Sequence, residues 1–373
     1  MTEPTARRKA LFTLVILGFS GLVTLVAAEA YVRLRSPYGY VTPDTIRQMT
    51  PDYRPAIFAR HVIRQEAKPV VVNGQELFRI NSLGYRGRDF TVAKPAGVTR
   101  IAFYGGSSVF DIFAPQDDDW PRRVERLLRA DGFPAVEVIN AGIPGYTTAE
   151  AVGTLLAEGH AFSPNYVLLY AQWNDIKLFK SSKSLLRTLV RDVQSEDPRT
   201  TYQNSLDRLL CNVSQLYVRL RERYYVWKLG IGEEGVKPSG ASDDSLSEAA
   251  LEQYKLNIET FVDIARNIGA VPILMIEARL PDPGNTSQEK SRISYEYVLL
   301  SHEGLCNAFQ REDEIIYDVG RRKGAVVIDA SRQLTGRDEM FHDHIHLSEK
   351  GSEALSRAVA GELARIMREG RGA

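Results

Sequence analysis

The chain has 373 residues, 44% of them apolar and 25% charged, and Lys plus Arg balance Asp plus Glu at 47 each. That length gives one large domain with an appendage, or two smaller domains. The even charge leaves no electrostatic footprint for nucleic acid, and two cysteines, Cys211 and Cys306, exclude both a disulfide framework and zinc-type spacing.

Arg7, Arg8 and Lys9 precede an uncharged run from Ala10 to Ala28. The run is as long as a helix needs to be to cross a bilayer core. Basic residues in front and a long globular chain behind predict a cytoplasmic N-terminus and an exported remainder. Residues 1–35 are therefore read as N-terminus and transmembrane anchor. The competing reading is a cleaved signal peptide, because Ala28-Glu29-Ala30 has the small-x-small form. Outside the cytoplasm, one Cys211–Cys306 bridge could form.

Residues 36–99 read as a connector followed by a hairpin. Pro37, Pro43, Pro51 and Pro55 keep the connector extended. Val70-Val71-Val72, a turn at Asn73-Gly74 and Leu77 to Ile80 make the hairpin. A glycine-punctuated loop, Asn81 to Gly87, follows.

From residue 100 to 373 the pattern changes. Apolar runs at Arg100–Tyr104, Val136–Ile139, Tyr166–Tyr170, Val271–Ile276 and Ala325–Asp329 alternate with helical spacing at Trp120–Ala130, Thr147–Gly159, Ser247–Ile268, from Thr286 to about Lys323, and in a final helix to about Arg368. Near-continuous apolar strands separated by helices predict a parallel sheet covered on both faces. Residues from about 176 to 245 interrupt the alternation and read as an inserted helical cap. Its Lys177, Lys180, Lys183 and Arg187 read as a solvated face, with a hold on an anionic polymer as the sharper alternative.

The polar motifs fall just past strand C-terminal ends, where open α/β sheets place their sites. Gly105-Gly106-Ser107-Ser108 would expose a hydroxyl at a strand-to-helix turn. Gly142 offers a backbone N–H without a side chain, and Asn174 an amide donor. Asp343 stands three residues before His346, so it can hold one imidazole nitrogen while the other serves as base. Ser108 is the alternative nucleophile. His342, His344 and His346 alternate, so a metal site is the alternative use of that stretch.

These four blocks, in this order, resemble the signature blocks of the SGNH (GDSL-type) hydrolase superfamily. The resemblance implies a flavodoxin-like three-layer α/β/α sandwich with a parallel sheet of about five strands. It implies Ser107 as nucleophile, His346 as base and Asp343 as its orienting carboxylate. It also implies an oxyanion hole from the Ser107 N–H, Gly142 and Asn174, with no cofactor and no metal. The Asn81–Gly87 loop resembles that of membrane-anchored bacterial members. Two residues depart from the pattern: Gly106 stands where the family often has Asp, and Gln172 where it usually has Gly. Gln172 is thereby expected to put bulk near the oxyanion position, and Trp173 to form pocket wall. The expected activity is removal of small acyl groups, acetyl above all, from a carbohydrate or lipid-linked glycan. The expected place is a membrane-anchored domain facing the periplasm or exterior. An O-acyltransferase and a catalytically silent glycan-binding protein of the same fold are the alternatives.

Overall fold

The computed structural model of the chain describes residues 6–35, 68–72, 75–179, 202–228 and 244–370. The connector before residue 68, the Asn73-Gly74 turn and the cap segments 180–201 and 229–243, with Lys180, Lys183 and Arg187, lie outside the described residues.

In chain order the elements are helix α1 (Ala6–Arg35), strands β1 (Lys68–Val72), β2 (Gln75–Ile80) and β3 (Thr99–Gly105), and helices α2 (Ser107–Phe110) and α3 (Trp120–Ala130). Then come β4 (Val136–Gly142), α4 (Thr148–Thr154, continued through a π-type turn to Phe162), β5 (Tyr166–Tyr170) and α5 (Trp173–Ile176). The insertion supplies α6 (Ser205–Val213) and α7 (Gln215–Lys228). The alternation resumes with α8 (Glu248–Asn267), β6 (Val271–Met275), α9 (Ser287–Lys290), α10 (Tyr295–Val298), α11 (His302–Lys323), β7 (Val326–Ile328) and α12 (Glu349–Gly370).

The chain divides into two compact units. The larger is a parallel sheet in the order β4-β3-β5-β6-β7. Helices α3 and α12 pack on one face, and α4, α8 and α11 on the other. Ile101 to Tyr104 of β3 are buried on both faces, which is why the run reads as continuously apolar. Trp120, Phe103, Tyr170 and Phe261 are among the largest fully buried side chains, each stabilising the unit by roughly 1.5–3 kcal/mol.

β3 lies between β4 and β5, so the chain leaves it on one side and returns on the other. The register sets Gly105 beside Gly142 on one flank and beside Tyr170 on the other. Three strand ends therefore stop level with one another at the switch point, where such sheets open a crevice.

One expected boundary moves. The helix anticipated from Thr286 onward is broken into α9 and α10, and the long helix α11 begins only at His302. Leu299 adopts a left-handed conformation (φ 57°), and Ser301 then caps α11 by accepting the Gly304 N–H.

The smaller unit contains α1, α6 and α7. Within α1, the 24 residues Phe12–Arg35 are long and apolar enough to cross a membrane, with an 18-residue window at a mean hydropathy of 1.9. No disulfide joins Cys211 to Cys306.

Candidate active site

The turn after β3 is built by close approach. A Cβ on Gly106 would stand 2.7 Å from Asn174 Nδ2, and one on Gly142 would stand 2.4 Å from the Phe110 nitrogen. Neither position admits a side chain, so α2 seats directly against the ends of β4 and β5. Ser107 opens α2 and Ser108 follows it, but the two hydroxyls face different partners. Ser108 is buried and acts to lower the pKa of Glu277, toward which its hydroxyl lies. The Ser107 hydroxyl donates to His346 Nε2 at 2.7 Å.

The Asp343–His346 spacing works through a side-chain turn. Asp343 Oδ1 accepts the Ile345 and His346 N–H groups, each at 2.9 Å, which folds the chain back on itself. The imidazole then returns to the same carboxylate, and its Nδ1 donates to Asp343 Oδ2 at 2.6 Å. With Nδ1 as donor, Nε2 is the acceptor for Ser107. A Phe341–Leu347 bridge and the His342 N–H on the His346 carbonyl, at 2.8 Å, close the loop.

Burial acts to lower the His346 pKa, but the adjacent Asp343 carboxylate outweighs it and holds the pKa above the ordinary histidine value. Burial likewise opposes the Asp343 charge, yet His346 keeps that carboxyl well below the usual range. Geometry and charge agree on a base that is oriented and made more basic by a fixed anion.

The three histidines face three different neighbours. His342 lies on Phe113, ring centroids 4.8 Å apart. His344 is buried against Trp173 at 4.2 Å, and burial lowers its pKa to about 4, so it is neutral at pH 7. Among the described residues no group of His, Cys, Asp and Glu is arranged to hold a metal.

The donors behave unequally. Asn174 Nδ2 donates to the Tyr146 carbonyl at 2.9 Å and has a second hydrogen, and the nitrogen lies against Gly106, the residue before Ser107. The Tyr297 hydroxyl donates to Asn174 Oδ1 at 2.9 Å, so both ends of the amide are fixed. The Gly142 N–H is engaged by Asn140 Oδ1 at 3.1 Å. In this resting arrangement the missing Gly142 side chain makes room for Val109 and Phe110 rather than for a substrate.

Gln172 lies elsewhere than expected. Its amide donates to Asp313 Oδ1 at 2.8 Å, and its carbonyl oxygen accepts the Glu277 N–H at 2.5 Å. The side chain is drawn into a buried polar cluster with Glu277, Glu312 and Asp313, so its bulk is taken up there. Trp173 is buried, with its ring stacked on Tyr297 at 5.7 Å and 12°.

Three positions carry more than the motifs revealed. Glu277, just past β6, accepts the N–H groups of Gln172 at 2.9 Å and Trp173 at 2.8 Å. It thus holds the β5 end, with the Ser108 hydroxyl lying toward it, and burial raises its pKa. Arg86 is fully buried and donates to the carbonyls of Phe110, Asp111 and Ala114, which fixes the backbone just after α2. Its only sequence signal was the glycine-punctuated loop. Tyr297 orients Asn174 from a stretch with no motif.

No family model and no curated protein matches the chain. Solved structures do. A lipase/acylhydrolase from Enterococcus faecalis is 18% identical, covers 72% of this chain and 97% of its own length, and has a TM-score of 0.43. A GDSL-like lipase from Bacteroides thetaiotaomicron is 11% identical, with 72% and 89% covered and a TM-score of 0.38. An acetyl xylan esterase is 11% identical, with 70% and 98% covered and a TM-score of 0.41. Each is a distant likeness; what the site can do follows from its own geometry.

Proposed function

We propose that the chain is a serine esterase in which Ser107, His346 and Asp343 form the catalytic triad. The observation that carries this is the unbroken relay from Ser107 Oγ to His346 Nε2 at 2.7 Å and from His346 Nδ1 to Asp343 at 2.6 Å. The four motif blocks that resemble the SGNH superfamily support it.

Ser107 Oγ attacks the ester carbonyl carbon as its proton passes to His346 Nε2. Asp343 stays ionised and stabilises the imidazolium. The tetrahedral oxyanion is met by the Asn174 amide and the Ser107 N–H, with Gly142 joining when its bond to Asn140 yields. One such donor is worth about 2.7–4 kcal/mol in a known case. Collapse breaks the ester C–O bond, and the imidazolium returns its proton to the departing alkoxide. Water, deprotonated by His346, then cleaves the acyl-enzyme and restores Ser107.

The substrate we propose is a small acyl ester, acetyl above all, on a carbohydrate or lipid-linked glycan. Tyr297, 39% exposed and stacked on Trp173 beside Asn174, offers an aromatic face to a sugar ring. α1 is proposed as a membrane anchor, with the residue 100–373 domain on the periplasmic or outer side.

A fluorophosphonate probe tests the chemistry. The wild type is expected to be labelled at Ser107 and the Ser107→Ala variant not at all. Equal labelling of the two removes Ser107 from the role. Product analysis with an acyl donor and a glycan tests the reaction class, since transfer without net hydrolysis would replace the esterase by an acyltransferase.

A further inference from the structure

The smaller unit has its polarity reversed. α6 and α7 meet over a buried ion pair, Arg221 Nε to Asp207 Oδ1 at 2.8 Å, and the Tyr217 hydroxyl donates to the same oxygen at 3.0 Å. Cys211, Val218 and Tyr225 complete that inward face. The outward face carries an apolar stripe. Leu206, Leu209 and Val213 of α6 follow one another at i, i+3 and i+7, and they are 62%, 57% and 56% exposed. Leu220, Tyr224 and Trp227 of α7 follow at i, i+4 and i+7, with Trp227 at 76%. Helices of a water-soluble bundle place such stripes inside.

The pair is joined to α1 where the apolar span ends. Glu29 accepts the Ser214 hydroxyl at 2.8 Å and the N–H groups of Gln215 and Leu216 at 2.9 Å each, so it caps α7 from another helix. Arg33 donates to the Val213 carbonyl at 3.1 Å and pairs with Glu29 at 2.7 Å. Exposed Tyr31 and Leu34 continue the apolar surface of α1 to this junction. Apart from the buried Arg221–Asp207 pair, residues 205–228 hold Arg208, Arg219, Arg223 and Lys228 against Glu222.

We infer that α6 and α7 form an interfacial helix pair whose Leu206, Leu209, Val213, Leu220, Tyr224 and Trp227 stripe enters the membrane leaflet at the exit of α1. Two observations select lipid as the occupant. The helix pair that carries the stripe is bonded to the end of the apolar span through the Glu29 and Arg33 contacts, and the basic excess suits anionic headgroups. Tyr and Trp, with an apolar body and a polar tip, belong at that depth. The inference rests on α1 being a membrane anchor.

The test uses the full chain in lipid nanodiscs of phosphatidylglycerol and phosphatidylcholine, the latter brominated near the glycerol end of one acyl chain. Trp120 and Trp173 are buried, so the emission lost in Trp227→Phe isolates Trp227. The expected result is that bromine quenches most of that emission, and that the double variant Leu206→Asp, Leu209→Asp relieves the quenching without altering ester hydrolysis in solution. Trp227 emission open to acrylamide and untouched by bromine would overturn the inference. So would emission shielded from both together with cross-links between copies, which would assign the stripe to a second chain. A chain that fails to enter discs at all breaks the anchor reading, and this inference with it. A disc-resident chain with unquenched Trp227 breaks this inference alone.

Discussion

The two compact units solve the same packing problem with opposite polarity. The α/β unit buries an apolar sheet between helices and gathers its polar groups at one edge of that sheet. The unit of α1, α6 and α7 buries an ion pair and turns leucine, tyrosine and tryptophan outward. In the first, stability and chemistry are separable, because the core that holds the fold and the groups that react are different residues. In the second, the polar groups are what joins the helices.

That contrast can be broken by substitution, and the changes differ in size. Asp343→Asn should have the largest effect. It keeps the shape of the turn but loses the anion that selects the tautomer, and in the serine protease case the comparable change costs on the order of 10⁴ in turnover. Because the carboxylate raises the His346 pKa against burial, the two enzymes should also differ in pH profile. In the wild type kcat/KM should fall as pH drops through a value above the ordinary histidine 6.5, since imidazolium cannot accept the Ser107 proton. In the variant that acid limb should move to lower pH. A wild-type limb below the ordinary value would contradict the charge coupling.

Asp207→Ala is the matching change in the other unit. It strands the Arg221 cation, and removing one member of a buried pair costs about 3 kcal/mol at the low end. Thermal unfolding in detergent should show α6 and α7 melting earlier, while hydrolysis of a soluble ester is unchanged. A lost rate with unchanged melting would mean that the two units are not separable in this way.

Asn174→Ala should lower turnover by about 10²–10³ with little change in KM, as loss of an oxyanion donor does. Tyr297→Phe should be the mildest. It removes one hydrogen bond to Asn174 Oδ1, worth about 1 kcal/mol, and so a several-fold loss in kcat. If Tyr297→Phe matched Asn174→Ala, the hydroxyl would be acting on substrate rather than on the amide.

Much of the larger unit was legible in the sequence, because its strands are buried on both faces and its helices carry one apolar face each. The residues of the proposed triad could be picked out because Asp343 and His346 are local to one turn, and Ser107 sits where a strand must stop. What escaped was set by partners distant in sequence. Nothing near Gln172 and Trp173 announces that Glu277 will accept both of their N–H groups. Gln172 looked obstructive because its acceptors, Glu277, Glu312 and Asp313, lie more than one hundred residues away. Tyr297 fell in a stretch read as continuous helix, which the left-handed Leu299 ends before α11 begins at His302. The reversed polarity of α6 and α7 was hidden because spacing shows that a helix has two faces but not which one turns inward.

Glu29 adds a question of timing. Its partner Ser214 follows it by 185 residues, and a chain is made in order, so the carboxylate waits roughly 10–40 s at ~5–20 residues per second before that partner exists. Through that interval Arg33, one helical turn on, is the cation at hand. With α1 as the proposed anchor, a ribosome pausing between these two points would leave an unfinished chain whose first helix has entered the bilayer and whose joint is still open, a window in which a protease or a chaperone meets the protein before its own helices do.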